Sequence, residues 1–235
     1  MLGSRRELRL DAAVLGEAVI SGGIDAYIFD MDDLLIRSAN TWRKAERALF
    51  AAIGESWTPE IAIRYKGMNA LDVAATVHRL LSPSLPLADC QRIMRESLLE
   101  SFAGQIDAMP GAVDLVRHLH RRRPIAVASG SPLEAIRTAL SQLDILNCFD
   151  QVISSESVAR GKPHPDVFLA AARALGAGPA NCLVFEDSLI GVQAAVAAGM
   201  RVACVPSGPF DEIRRLTPYV FTTLAEVMAE GSLMP

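Results

Sequence analysis

Apolar and polar positions change rhythm repeatedly along the chain. Short apolar runs, "IDAYIF" (24–29), "PIAVAS" (124–129), "FDQVIS" (149–154), "NCLVFE" (181–186) and "RVACVP" (201–206), alternate with longer stretches whose apolar residues recur every three to four positions. Apolar runs of this length predict strands buried on both faces. The stretches between them, such as "SPLEAIRTALSQL" and "HPDVFLAAARALG", predict amphipathic helices. Strands alternating with helices predict an α/β fold, a doubly wound parallel sheet. One interval breaks the alternation: between the first run and the second lie only helical patterns, "NTWRKAERALFAAIG", "ALDVAATVHRLL" and "LADCQRIMRESLLESFAG". A crossover needs only about a dozen residues. The chain therefore reads as an α/β core of residues 24–37 and 108–235, a helical cap domain inserted at 38–107, and an N-terminal arm at 1–23.

With 235 residues, 51% of them hydrophobic, the chain can bury a substantial core. A formal net charge of -4 provides no basic surplus to neutralise a nucleic-acid backbone. Arg121, Arg122 and Arg123 precede Pro124 and read as a solvated helix end. Cys90, Cys148, Cys182 and Cys204 lack paired metal-site or redox spacing, the usage of reduced packing thiols in a cytoplasmic protein. Asp11 and Glu17 interrupt the apolar residues near the N-terminus, which argues against a secretory signal, and nowhere are there the ~20 continuous apolar residues of a membrane span. Nucleic acid and membrane are thus excluded as expected partners, and oligomeric state is left open.

The chemistry gathers at the strand ends, where ligands of open α/β sheets bind. Asp30, Asp32 and Asp33 fall within four positions after the first run. Like charges so close, at the mouth of a buried strand, require something positive nearby. The second strand ends in Ser129 and Ser131, the fourth in Glu186 and Asp187, and Lys162 lies in the loop "ARGKPHPD" after the third. Acids, hydroxyls and a lysine at one sheet edge make a site for a divalent cation and a phosphoryl group. Lys162 suits the phosphoryl oxygens as a point charge and Ser129 as a hydroxyl donor. Because Mg²⁺ keeps several waters and takes few protein ligands, Asp187 ranks above Glu186 as its ligand.

In order, "FDMDDLL", "VASGSP", "GKPHPDVF" and "VFEDSLIGVQAAVAAGM" resemble the four motifs of the haloacid dehalogenase superfamily, in the branch with an α-helical cap. The resemblance spans residues 24 to 223. It implies that Asp30 is a nucleophile forming an aspartyl-phosphate, and that Asp32 exchanges protons with the leaving alcohol and water while its backbone carbonyl binds the metal. The implied metal set is Asp30, Asp32, Asp187 and Glu186, with Mg²⁺ as cofactor. In the cap, "RYKGMNALDVAA" resembles a substrate-facing segment, which makes Lys66, Asn69 and Asp72, with Ser131 from the core, candidate substrate contacts.

Three positions depart from many capped members: Asp33, Arg37 and Ala39 stand where Gly, Asp and Glu are usual. One cation and Lys162 cannot contact three acids, so Asp33 is expected to turn toward the cap hinge or Arg37. Ser188 reads equally as a helix cap and as a support for the site. Between Asp30 and His78 there is no histidine of the kind carried by mutases that isomerise β-glucose phosphates. Asp32, which dehalogenases and phosphonate hydrolases lack, points to a phosphate monoester. The expectation is a Mg²⁺-dependent phosphatase acting on a small phosphorylated metabolite. A sugar phosphomutase and a non-catalytic phospho-ligand or protein-binding relative are the alternatives.

Overall fold

The structure, a computed structural model, describes residues 23–208 and 210–229, so the N-terminal arm expected at 1–23 lies outside it except for Gly23. The five apolar runs are the five strands: Ala26–Phe29 (β1), Ile125–Ser129 (β2), Gln151–Ser154 (β3), Cys182–Glu186 (β4) and Arg201–Cys204 (β5). They form one parallel sheet in the order β3-β2-β1-β4-β5. Every residue of β1, β2 and β4 is buried, whereas β3 and β5 are partly exposed because each forms an edge.

Successive side chains on β1 serve opposite faces. Tyr27 and Phe29 enter one core with Phe185 of β4, whose ring stacks on that of Phe29 at 4.7 Å between centroids. Ala26 and Ile28 enter the other core with Ala128 and Val184. Helices cover both faces: Ala112–His120 (α4), Leu133–Gln142 (α5), Asp166–Leu175 (α6), Leu189–Ala197 (α7) and, at the end, Leu224–Ala229 (α8). On the Ala26 face the helix residues are small, Ala171 and Ala172 on α6 and Ala194 and Ala195 on α7. That lets helix backbones lie close to the sheet.

Between β1 and β2 the chain is helical, as its periodicity predicts, in Ala39–Ala52 (α1), Ala70–Leu81 (α2) and Leu87–Phe102 (α3), with a single turn at Pro59–Ala62. The buried positions repeat at helical spacing: Ala45 and Leu49 on α1, Val73 and Val77 on α2, Cys90, Met94 and Leu98 on α3. Two adjacent strand-like segments carry the chain into and out of these helices. Arg37 N–H donates to Asp107 O at 2.8 Å and Met109 N–H to Leu35 O at 2.9 Å. Among the described residues no helix is long and apolar enough to cross a membrane, and all four cysteines are free thiols.

Asp33 governs how α1 begins. Its φ of 55° places it in the left-handed region, which Asp enters more readily than most non-glycine residues. From there Oδ1 accepts from the backbone N–H of Ser38 and of Ala39, each at 3.0 Å. Ser38, at the N-cap position itself, makes no side-chain cap bond, so the carboxylate from the preceding turn caps the helix and meets its positive end.

The stacked Phe29–Phe185 pair sits directly beneath the strand ends that carry the acids. Phe185→Ala is expected to destabilise the protein by about 3–5 kcal/mol. Urea titration with an unchanged m-value would measure it.

Candidate active site

The strand order reverses between β1 and β4, and such a switch point opens a crevice at the carboxyl ends. Phe29 stands opposite Phe185, and Asp30 N–H continues the ladder to Phe185 O at 2.9 Å. This register delivers Asp30 and Glu186 side by side. Between them the loop after β3 inserts Lys162, only 5% exposed, whose Nζ donates to Asp30 Oδ1 at 2.5 Å and to Glu186 Oε1 at 2.6 Å. The ammonium also lies 4.8 Å from the centroid of the Phe168 ring of α6, in cation–π contact. Burial works against the charged lysine, but Asp30 and Glu186 outweigh it and hold its pKa above the ordinary value.

One lysine does not balance the acids. Asp30, Glu186 and Asp187, all buried, place carboxylate oxygens within 4.8 Å of one another. Burial pushes the Asp30 carboxyl well above the ordinary range; Lys162 opposes this, while Glu186 and Asp32 add to it. Asp187 is raised likewise, by burial first and then by Glu186 and Asp30. An all-oxygen donor set with more acid than cation fits a divalent metal ion of the hard class.

Glu186 is the most tightly held of the three. Its second oxygen, Oε2, accepts from the backbone N–H of Asp187 and of Ser188 at 2.8 Å each and from Ser188 Oγ at 3.0 Å. Ser188 fills both roles considered for it, because the same hydroxyl accepts from Gly191 N–H at 3.2 Å and caps α7. Gly191 itself escapes a reading of the sequence for chemistry. A Cβ there would lie 1.7 Å from Glu186 Oε1, so only glycine lets α7 pass beneath that carboxylate. The available signal is a glycine in the first turn of a helix, where propensity favours almost any other residue.

Asp32 faces a different set of partners. The backbone turns after Asp30, with Met31 O accepting from Leu35 N–H at 2.9 Å, and the Asp32 side chain reaches the loop after β2. Ser129 Oγ and Ser131 Oγ each donate to its Oδ2 at 2.9 Å, and Trp42 Nε1 of α1 donates to Oδ1 at 2.8 Å. Burial raises this carboxyl, with Trp42 the strongest of the donors that oppose the shift. The structure thus gives Ser129 a carboxylate partner, while its oxygen accepts from Ser131 N–H at 3.0 Å.

A cavity of about 380 Å³ opens over these groups, bounded below by Asp30, Asp32, Lys162 and Asp187 and above by Trp42, Tyr65, Lys66 and Met68. Lys66 lines it, as the sequence suggested. Asn69 and Asp72 do not: Asn69 caps α2 by accepting from Asp72 N–H at 2.9 Å, and its amide donates to Asp72 Oδ2 at 2.6 Å. Asn69 also packs against the core, since a Cβ on Gly161 would come within 2.0 Å of its Nδ2. Trp57 donates to Glu46 at 2.6 Å. Phe168 and Trp42 could be read from the sequence only as packing residues, because nothing local marks the lysine or the carboxylate that each meets.

A family model described as haloacid dehalogenase-like hydrolase matches residues 24–199. The chain is 34% identical to the fructose-1-phosphate phosphatase YqaB of Escherichia coli over 173 residues, 74% of this chain and 92% of that protein. It is 32% identical over 225 residues to (DL)-glycerol-3-phosphatase 2 of Arabidopsis thaliana, covering 91% of this chain and 93% of the relative. Among solved structures, CbbY from Rhodobacter sphaeroides in complex with phosphate superposes with a TM-score of 0.73 at 27% identity, over 88% of this chain and 98% of the other.

Gly191→Ala separates two opposing effects. Helix propensity alone predicts a gain of up to about 1 kcal/mol. Displacement of Glu186 from buried Lys162 predicts a loss of about 3–5 kcal/mol. The expected result in a urea titration is the loss.

Proposed function

The chain belongs to the haloacid dehalogenase-like hydrolase family and is a phosphatase, and from that premise we propose that it hydrolyses the phosphate monoester of a small metabolite, in the cytoplasm, with Mg²⁺ as its cofactor. Residues 24–37 and 108–235 serve as the α/β core and 38–107 as the cap. The observation supporting this reading is the buried group of Asp30, Glu186 and Asp187 around Lys162, at the sheet's switch point and open to one cavity. Two of the phosphatases to which the chain is similar over most of both chains are named for a sugar phosphate and a polyol phosphate. A small phosphorylated carbohydrate or polyol is accordingly the substrate class to test first.

Asp30 attacks the phosphorus atom through a carboxylate oxygen, and the bond from phosphorus to the ester oxygen breaks. Asp32 delivers its proton to the departing alcohol. Water then attacks the phosphorus of the aspartyl-phosphate and gives a proton to Asp32, releasing inorganic phosphate and restoring Asp30. An ammonium has three donors, and Lys162 has placed two on Asp30 and Glu186, which leaves one for a phosphoryl oxygen. Asp30 and Asp187, with the backbone carbonyl of Asp32 and with Glu186 as a further acceptor, would hold Mg²⁺, which when bound supplies positive charge opposite the phosphoryl oxygens. Ser129 and Ser131 serve by holding Asp32, and Trp42 and Lys66 form part of the roof over the leaving group.

Three outcomes test this reading. Phosphate release from p-nitrophenyl phosphate should vanish in excess EDTA and return with Mg²⁺, with the circular dichroism spectrum unchanged throughout. Asp30→Asn should give no covalent phosphoenzyme by mass spectrometry, whereas Asp32→Asn should retain the nucleophile and lose ~10²–10⁴-fold in rate. Asp187→Asn removes one of the mutually repelling acids, so it should raise the melting temperature of the metal-free protein and abolish the further rise that Mg²⁺ gives the unaltered chain.

A further inference from the structure

The inference concerns Trp42 and rests on the phosphatase reading of Asp32. A carboxylate offers about four acceptor positions. Three of those on Asp32 are taken, by Ser129 Oγ, Ser131 Oγ and Trp42 Nε1. The Ser38 side chain, at the start of the helix that carries Trp42, also favours this carboxylate, and what is left, about one position, faces the leaving oxygen in the first half of the reaction and water in the second. The direction in which that last position points is set by the other three bonds together.

The three donors differ in origin. Ser129 ends β2 and Ser131 follows it; Ser129 is fixed by Ser131 N–H, and Ser154 Oγ donates to Ser131 O at 2.7 Å. Both belong to the sheet edge. Trp42 lies in the first turn of α1, in the helical segment. The same helix start is capped by Asp33, so two consecutive aspartates hold it: Asp33 through the N–H groups of Ser38 and Ala39, Asp32 through the indole. An indole N–H donates and cannot accept, and its ring has only two torsions, so it fixes one oxygen in one place. Trp42 also lines the cavity, where it borders both the proton-transferring group and the space for the leaving group.

We propose that Trp42 is a positioning residue whose indole N–H orients the Asp32 carboxylate for proton transfer, and that this orientation exists only while α1 is docked on the loop after β1. Proton transfer is thereby made conditional on the placement of the helical segment.

The chain has two tryptophans, so a ¹H–¹⁵N spectrum of the full-length protein shows two indole signals, and Trp42→Phe identifies which belongs to Trp42. In Asp32→Ala that signal is expected to move upfield while the Trp57 signal stays in place. Turnover of p-nitrophenyl phosphate with Mg²⁺ supplies the second readout. Trp42→Phe keeps an apolar ring and loses one hydrogen bond to a charged group, so kcat should fall about 10- to 100-fold with KM within about twofold. A packing role alone would lower the melting temperature and leave kcat of the folded enzyme near the original. Asp33→Ala loosens the start of α1 and should also lower kcat, but Trp42→Phe/Asp33→Ala should be no slower than Trp42→Phe, because both act through one contact. An indole signal unmoved by Asp32→Ala, an unchanged kcat in Trp42→Phe, or additive losses in the double variant would each overturn the proposal. If the unaltered protein with Mg²⁺ releases phosphate from no ester, the phosphatase reading falls, and the indole signal alone then decides whether Trp42 holds Asp32.

Discussion

A lysine buried between two carboxylates is the constraint around which the molecule is organised. Lys162 cannot remain charged at 5% exposure without Asp30 and Glu186, whose carboxylates accept two of its three hydrogens. The three groups come from the end of β1, the loop after β3 and the end of β4, so their pairing requires the sheet order, the register and the loop to be correct together. Phe168 under the ammonium and Gly191 under Glu186 belong to the same requirement, one as a platform and the other as the space a side chain would fill. Removing Lys162 leaves two buried carboxylates without their cation.

The balance among these charges is deliberately incomplete. Asp187 adds a third buried carboxylate to a group that holds one cation, and the pKa values of Asp30 and Asp187 are both pushed upward. A protein selected only for stability would have an apolar residue there. The excess acid makes sense as affinity for a divalent ion and, with it, for the phosphate that the ion and Lys162 together attract.

Asp30, Asp32 and Asp33 occupy nearly consecutive positions and yet share no partner among the hydrogen bonds described above. Asp30 leaves the strand toward Lys162, Asp32 turns toward the two serines and Trp42, and Asp33, at positive φ, caps α1. Separation in space relieves the repulsion that proximity in sequence creates. It also joins the site to the architecture, because the residue next to Asp32 is the one that starts the helical segment over the cavity.

Much of this was legible in the sequence. Local burial sets the apolar runs and helical periodicity, so all five strands and the three long helices between β1 and β2 could be placed to within a few residues, and with them the strand-end positions of Asp30, Ser129 and Glu186 and the loop position of Lys162. Asn69 shows the limit: its type and neighbours suit a substrate contact, but the packing of α2 against Gly130 and Gly161 turns its side chain to Asp72. Ser129 shows it again, because the direction of a hydroxyl depends on an aspartate 97 residues away. Trp42 carries no local mark of its role, and Gly191 only that of a glycine in a helix's first turn, because both roles come from contacts set by the packing. Which residues reach the sheet edge can be read along the chain alone, since that follows from short-range periodicity. Which partner each one faces there emerges with the fold, since hydrogen-bond direction and close approach are set by the packing of elements that lie far apart in the chain.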